Sequence, residues 1–227
     1  MPRNRHGNSI EVYAKWMALV FGFITTTLPA QDDQTRSRSQ FLFPEFMSCQ
    51  VKMKTGIVNQ VTANYNTLSE KMVFLKDSTP QDMTVTTFVD TITFADRQFV
   101  PFKEIFYEVL VNAPVSLFIQ HKSTLIDPGK PSGYGGRSNT SAIDRVSILQ
   151  SNNHYYNLPL PDEYNIVPSN VFWIRKDYQM FSFLNKRQLL KILPEKGSEI
   201  NEFISRHRLK TDNRDDMIRL IQYYNSL

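Results

Sequence analysis

Phe106-Tyr107-Glu108-Val109-Leu110-Val111-Asn112-Ala113-Pro114-Val115-Ser116-Leu117-Phe118-Ile119-Gln120 decides the fold. Two apolar runs of strand length flank the short break Asn112-Ala113-Pro114. Their aromatic and β-branched side chains suit a pleated surface, and so brief a break suggests a hairpin.

The same cadence extends toward the N-terminus. Val51, Met53, Ile57, Val61 and Ala63 alternate with polar residues, interrupted at Thr55-Gly56. Lys71 to Leu75 runs into turn chemistry at Asp77-Ser78-Thr79-Pro80, and Val85 to Phe94 is rich in Thr, Val and Ile. Ala95-Asp96-Arg97 reads as a turn before Phe99-Val100-Pro101-Phe102. Pro101 donates no ladder bond, so that strand is expected to be short or at an edge. Toward the C-terminus, Val171 to Ile174 and Met180 to Phe183 flank Arg175 to Gln179 as a second hairpin. Strands that follow one another without helices between them argue for antiparallel pairing rather than βαβ units.

Between the hairpins, Asp127 to Ser141 holds four of the eight glycines of the chain and reads as a long loop. Short β pieces are expected at Val146 to Leu149 and Tyr155 to Leu158, and Pro159, Pro161 and Pro168 keep the next stretch extended or turning.

After Phe183 the period changes. Leu189, Leu190, Ile192 and Leu193 predict a short helix from about Asn185, ended by Pro194. Ser198 is the expected N-cap of a second helix carrying Ile200, Phe203 and Ile204. Asp212 or Asn213 would cap a third, whose apolar stripe is Met217, Ile218, Leu220, Ile221 and Tyr224. The expected fold class is therefore α+β: an antiparallel, curved β-meander followed by two or three C-terminal helices packed on the sheet. It forms one domain over 41–227, β-rich over 41–183 and helical over 185–227.

The N-terminus bears on location. Arg3, Arg5 and Lys15 precede the apolar run Trp16 to Ile24, and Thr25 to Ala30 leads into polar Gln31-Asp32-Asp33-Gln34. That is the pattern of a secretory signal peptide over 1–30, followed by a polar spacer over 31–40. Cleavage after Ala30 leaves Leu28, not a small residue, at position −3. An uncleaved anchor and a buried helix are the alternatives, although the run is shorter than the roughly 20 residues of a membrane span. The expectation is an exported protein, periplasmic, outer-membrane-associated or extracellular, with no stable transmembrane helix in the mature chain.

The formal charge of +4 is shared with the leader. Without Arg3, Arg5, Lys15 and Glu11, 23 basic residues face 21 acidic ones, which is no footprint for nucleic acid. The single cysteine, Cys49, excludes an internal disulfide and reads as a small half-buried hydrophobe in a strand.

Catalytic motifs fail on inspection. Gly129-Lys130 lacks the upstream glycine of a phosphate-binding loop, Thr124 standing there, and Pro131 follows. Gly133-Tyr134-Gly135-Gly136 has no serine for a nucleophile elbow. No histidine pair has helical metal spacing, and a site from His121, Asp127, Asp144 and His154 is not required by any spacing. No metal or other cofactor is expected. Asp162-Glu163 and Asp215-Asp216 read as a turn and as helix N-terminal charge. The Gly-rich loop offers Lys122, Lys130, Tyr134 and Arg137 to an anionic or sugar ligand. Tyr155, Tyr156, Tyr164, Phe172, Trp173 and Tyr178 offer rings to a sugar or peptide groove, and large rings are equally normal as sheet core. The candidate ligand-binding set is Lys122, Lys130, Tyr134, Arg137, Tyr155 and Trp173.

Several strings resemble one group of proteins: Asn64 to Phe74, Phe106 to Leu110, Gln120-His121-Lys122-Ser123 with Pro128 to Gly136, Tyr155 to Pro159, and Tyr223-Tyr224-Asn225. They are similar to uncharacterised exported envelope proteins of Bacteroidetes-type bacteria, over most of the chain after Gly56. The resemblance implies a cell-envelope or secreted setting in a diderm bacterium and carries no activity or site residue. The expected function is a non-catalytic envelope module binding a partner protein or cell-wall glycan. A carrier of a lipid or other apolar ligand and an envelope hydrolase using His121 or His154 are the alternatives.

Overall fold

The computed structural model describes residues 40–84, 86–126, 130–131, 137–138 and 165–227, for the last two short pieces before 165 as backbone only. The calls on the leader, the spacer, most of the Gly-rich loop and the β pieces at 146–158 lie outside these residues.

Among the described residues, ten strands form one antiparallel sheet. β1 (Met47–Met53), β2 (Val58–Asn66), β3 (Lys71–Lys76) and β4 (Thr79–Asp82) make one meander. β5 (Val89–Phe94), β6 (Arg97–Phe102), β7 (Ile105–Val111) and β8 (Ser116–Gln120) make a second. After β9 (Ser123–Ile126), β10 (Lys130–Pro131), β11 (Arg137–Ser138) and β12 (Asn165–Pro168) come β13 (Val171–Lys176) and β14 (Gln179–Phe183). The order is β14-β13-β8-β7-β6-β5-β1-β2-β3-β4. The chain is thus two meanders joined side by side through β1 and β5, with the β13–β14 hairpin added on β8. β9 pairs with β12 and β10 with β11 apart from this sheet.

Both expected hairpins form, β7–β8 and β13–β14. Two other expectations change. Of the stretch expected from Val85 to Phe94, the strand begins at Val89: Val89 N donates to Thr86 O and the Thr86 hydroxyl donates to Lys103 O, which ties Thr86 to Val89 into a turn, and Val85 lies outside the described residues. The strand carrying Pro101 is interior, between β5 and β7. Pairing with β5 stops at Phe99, so the proline sits beyond the point where a bond on that side is required.

Three α-helices follow, α1 (Lys186–Ile192), α2 (Gly197–His207) and α3 (Arg214–Ser226). Asn185 caps α1, its Oδ1 accepting from Gln188 N at 3.0 Å, and Asn213 caps α3 by accepting from Asp215 N and Asp216 N. Ser198 is not a cap. A 3-10 turn at Pro194–Lys196 runs directly into α2, so Ser198 already lies inside the helix. Among the described residues no helix is long and apolar enough to cross a membrane.

One face of the sheet carries both buried clusters. Ile92, Phe94, Phe99 and Phe106 join Tyr65 and Met72 in the first. Leu117, Ile119, Phe172, Ile174 and Phe183 meet Leu189, Ile200, Met217, Leu220 and Ile221 of the helices in the second. Tyr65 of β2 stacks on Phe99 of β6 at 6.1 Å, although β1 and β5 lie between these strands. Ser123 N donates to Thr67 O at 2.9 Å, which ties the β2–β3 turn to the start of β9.

Candidate functional site

Strand alternation sorts the residues of β7, β8 and β13 onto two faces. Phe106, Glu108, Ile119, Phe172 and Ile174 point to the helices and the core. Tyr107, Val109, Phe118, Trp173 and Arg175 point the other way, as the registers Val109↔Phe118 and Phe118↔Trp173 require.

On the inner face, where the two clusters meet, stands Glu108, 1% exposed. Arg97 Nε donates to its Oε1 at 2.9 Å and Arg97 Nη2 to its Oε2 at 2.7 Å, a two-point clamp. His121 Nε2 lies 2.6 Å from Oε2, and Arg214 Nη2 donates to Oε1 at 3.1 Å. Burial alone would push this carboxyl up. The hydrogen bonds from His121 and Arg97, with the charge of Arg97, outweigh it and hold the carboxyl down at about 2. Arg97 also lies over the rings of Phe43 and Phe99, at 4.8 and 5.6 Å. Glu108 is therefore an ionised anchor, too weak a base to take a proton near neutral pH. His121 and Arg214 line a cavity of about 410 Å³ with Ser169, Asn170, Thr211 and Asp212.

The opposite face carries a groove of about 440 Å³. Tyr107 and Phe118 lie in its wall together with Val100 and Phe102, and Asp90, Gln98, Asn112 and Arg175 supply polar groups. Phe102 meets Tyr107 edge-on at 6.2 Å, and Tyr107 meets Trp173 edge-on at 5.6 Å. Tyr178 stands at its rim, with relative exposure 101%. It occupies the second position of the two-residue loop Asp177-Tyr178, both with positive φ, 50° and 62°. That loop conformation matches strand twist but favours Asn or Gly, so a tyrosine here is held in a costly backbone state with its whole ring in solvent.

Of the sequence candidates, two come together. Trp173 Nε1 donates to Gln120 Oε1 at 2.9 Å, Gln120 Nε2 donates to Glu70 Oε2, and Lys122 Nζ is 3.3 Å from Glu70 Oε1. This chain ties the β2–β3 turn to β8 and β13, so Lys122 and Trp173 brace the frame beside the groove. Lys130 and Arg137 lie on β10 and β11. Tyr134 and Tyr155 lie outside the described residues. Phe172 is not a groove residue: it stacks on Phe183 at 5.9 Å in the helix-covered core. Among the described residues no group of three His, Cys, Asp or Glu side chains is placed to hold a metal ion.

Sequence reasoning missed Glu108, Arg97, Arg175 and Tyr107 as site-forming residues. A glutamate inside a run apolar on both faces was the available signal, since a buried carboxylate demands cationic partners. Compared with known proteins, the chain matches no family model, no curated protein and no solved structure.

Proposed function

We propose that this chain is a non-catalytic, exported cell-envelope module that binds glycan in the groove over Tyr107 and Phe118. The observation that carries the reading is Tyr178, a fully exposed ring kept at positive φ on the rim of a groove walled by aromatic and polar side chains. Sugars present apolar C–H faces and hydroxyl edges, which amphipathic rings and planar amide or carboxylate groups complement. In this reading the sheet is curved toward its core face, consistent with the Tyr65–Phe99 stack there, and the ligand lies in the groove on the opposite face. The mixed walls support a polar ligand over the lipid of a carrier. The basic and apolar leader motivates the export part of the proposal, and N-terminal sequencing of the mature chain from a diderm host is expected to read from Gln31. Binding is tested by retention of the full chain on insoluble cell-wall polysaccharide. Wild type is retained and Tyr178→Ala is weakened; a chain that elutes with the void volume from every polysaccharide tried ends the reading.

A second reading, an envelope hydrolase, is favoured by His121, which is buried, paired with Glu108 and faces a cavity holding Ser169 and Thr211. It expects release of reducing ends or acyl groups from envelope material, abolished by His121→Ala.

A further inference from the structure

We infer that the groove takes an acidic sugar, with a carboxylate on the ring seated against the guanidinium of Arg175. This rests on the glycan reading and adds the class of ligand.

Arg175 is exposed and its guanidinium lies over the Phe118 ring, 5.3 Å from the centroid. Its hydrogen bond goes to a neutral acceptor: Nη2 donates to Ser116 Oγ at 3.2 Å. Ser116 in turn donates its proton to Ala113 O at 2.7 Å, so the hydroxyl is oriented to accept. No carboxylate pairs with Arg175 among the described residues. The guanidinium lies over the ring and the serine takes one of its donors, which leaves most of its five donors without a carboxylate among the described residues. This contrasts with the other arginine in the sheet, Arg97, which is spent on Glu108.

The rest of the groove has the same sign. Lys54 lines it and is exposed. Its one described carboxylate, Asp90, is already paired with Lys52 at 3.1 Å. The net field in the groove is cationic, in a mature chain close to neutral overall, so the charge is local. A planar, singly charged carboxylate fits one edge of a guanidinium through two parallel bonds. A phosphate monoester, carrying close to two charges, asks for more donors than one arginine and one lysine supply. With the carboxylate on Arg175, the rim ring of Tyr178 is left for an apolar sugar face.

The test uses the full chain and an array of uronic-acid oligosaccharides, each printed beside its carboxyl-reduced neutral counterpart. The expected result is a preference of about tenfold or more for acidic members, the size of one charge-assisted pair. Arg175→Gln abolishes the preference, Arg175→Lys restores part of it, and added salt reduces it. Circular dichroism spectra identical to wild type show that these exposed-site variants fold. Equal binding to acidic and neutral partners, or a preference untouched by Arg175→Gln, overturns this inference and leaves the glycan reading standing. Binding to no member of either set overturns both.

Discussion

Glu108 on β7 accepts a hydrogen bond from Arg214, the first residue of α3, at 3.1 Å across 106 positions of sequence. The bond joins the sheet to the last helix at the seam between the two buried clusters, and Arg97 and His121 close the remaining sides of the carboxylate. Replacing Glu108 with Ala leaves the Arg97 guanidinium without its partner beside buried rings. Breaking such a pair costs about 3–5 kcal/mol, and the expected loss at pH 7 is near the lower end because Arg97 and Arg214 keep some solvent. Urea unfolding measures it; a loss below about 1 kcal/mol, the value of a surface pair, contradicts the assignment.

The same carboxylate gives the stability a pH signature. Its folded-state value of about 2 lies below the ordinary 4.5, so the native state favours the ionised form. That contribution is fully present above the ordinary value and is lost as the pH falls from 4.5 toward about 2. The stability difference between wild type and Glu108→Gln is expected to be flat at neutral pH and to shrink through that acid window. A difference that is constant from neutral pH down to the acid limit would show that Glu108 is not the group responsible.

How much of this was legible in the sequence follows from range. The β7–β8 and β13–β14 hairpins, the α1 and α3 caps at Asn185 and Asn213 and the α3 stripe are all set by neighbours in the chain, and their residues announce them. The β1–β5 pairing is not, because nothing in Met47–Met53 names Val89–Phe94 as its partner over the nearer candidates. Ser198 misled because a 3-10 turn after Pro194 removed the need for a side-chain cap. Glu108 shares a face with Phe106, so period-2 alternation shows where it points but not the three side chains that gather on it from β6, α3 and the end of β8. Arg175 and Tyr178 sit in what reads as hairpin turn chemistry, and only the fold brings Arg175 over Phe118 and Tyr178 to the rim of the groove.

Cys49 is held inside β1, 2% exposed, more deeply than a half-buried strand residue. Burial pushes its thiol up to about 11, which leaves almost no thiolate at ordinary pH. Iodoacetamide at pH 8 is expected to leave the native chain unmodified over hours and to label it stoichiometrically in denaturant, read by intact mass. Labelling of the folded chain at the rate of a free thiol contradicts the placement.

Asn225 fastens the last turn of α3 to the start of β8. Val115 N donates to its Oδ1 at 3.0 Å, and its Nδ2 donates to Val115 O at 2.9 Å and Ile221 O at 2.8 Å. Asn225→Ala removes the side chain from a partly buried pair of backbone groups, and each group left unsatisfied costs about 1–3 kcal/mol. The expected destabilisation is about 2 kcal/mol, with amides of α3 and Val115 losing hydrogen-exchange protection before those of β5 and β6. Uniform loss across the sheet would mean that the helix and the sheet do not open separately.

Tyr178 separates binding from folding. In the Asp177-Tyr178 loop both residues have positive φ, and Asp-Gly is the sequence that such a loop prefers. Tyr178→Gly relieves the left-handed strain and adds some unfolded-chain entropy, for an expected net gain of a few tenths to about 1 kcal/mol. The ring, fully exposed, loses no core contact when it is removed. If it serves the groove, the same substitution weakens polysaccharide binding by about tenfold, the equivalent of one stacking contact of about 1.4 kcal/mol. A more stable chain that binds less tightly is the outcome expected of a residue kept for its ligand. A variant that is less stable, with unchanged binding, would make Tyr178 a turn residue and return the search to the cavity beneath His121.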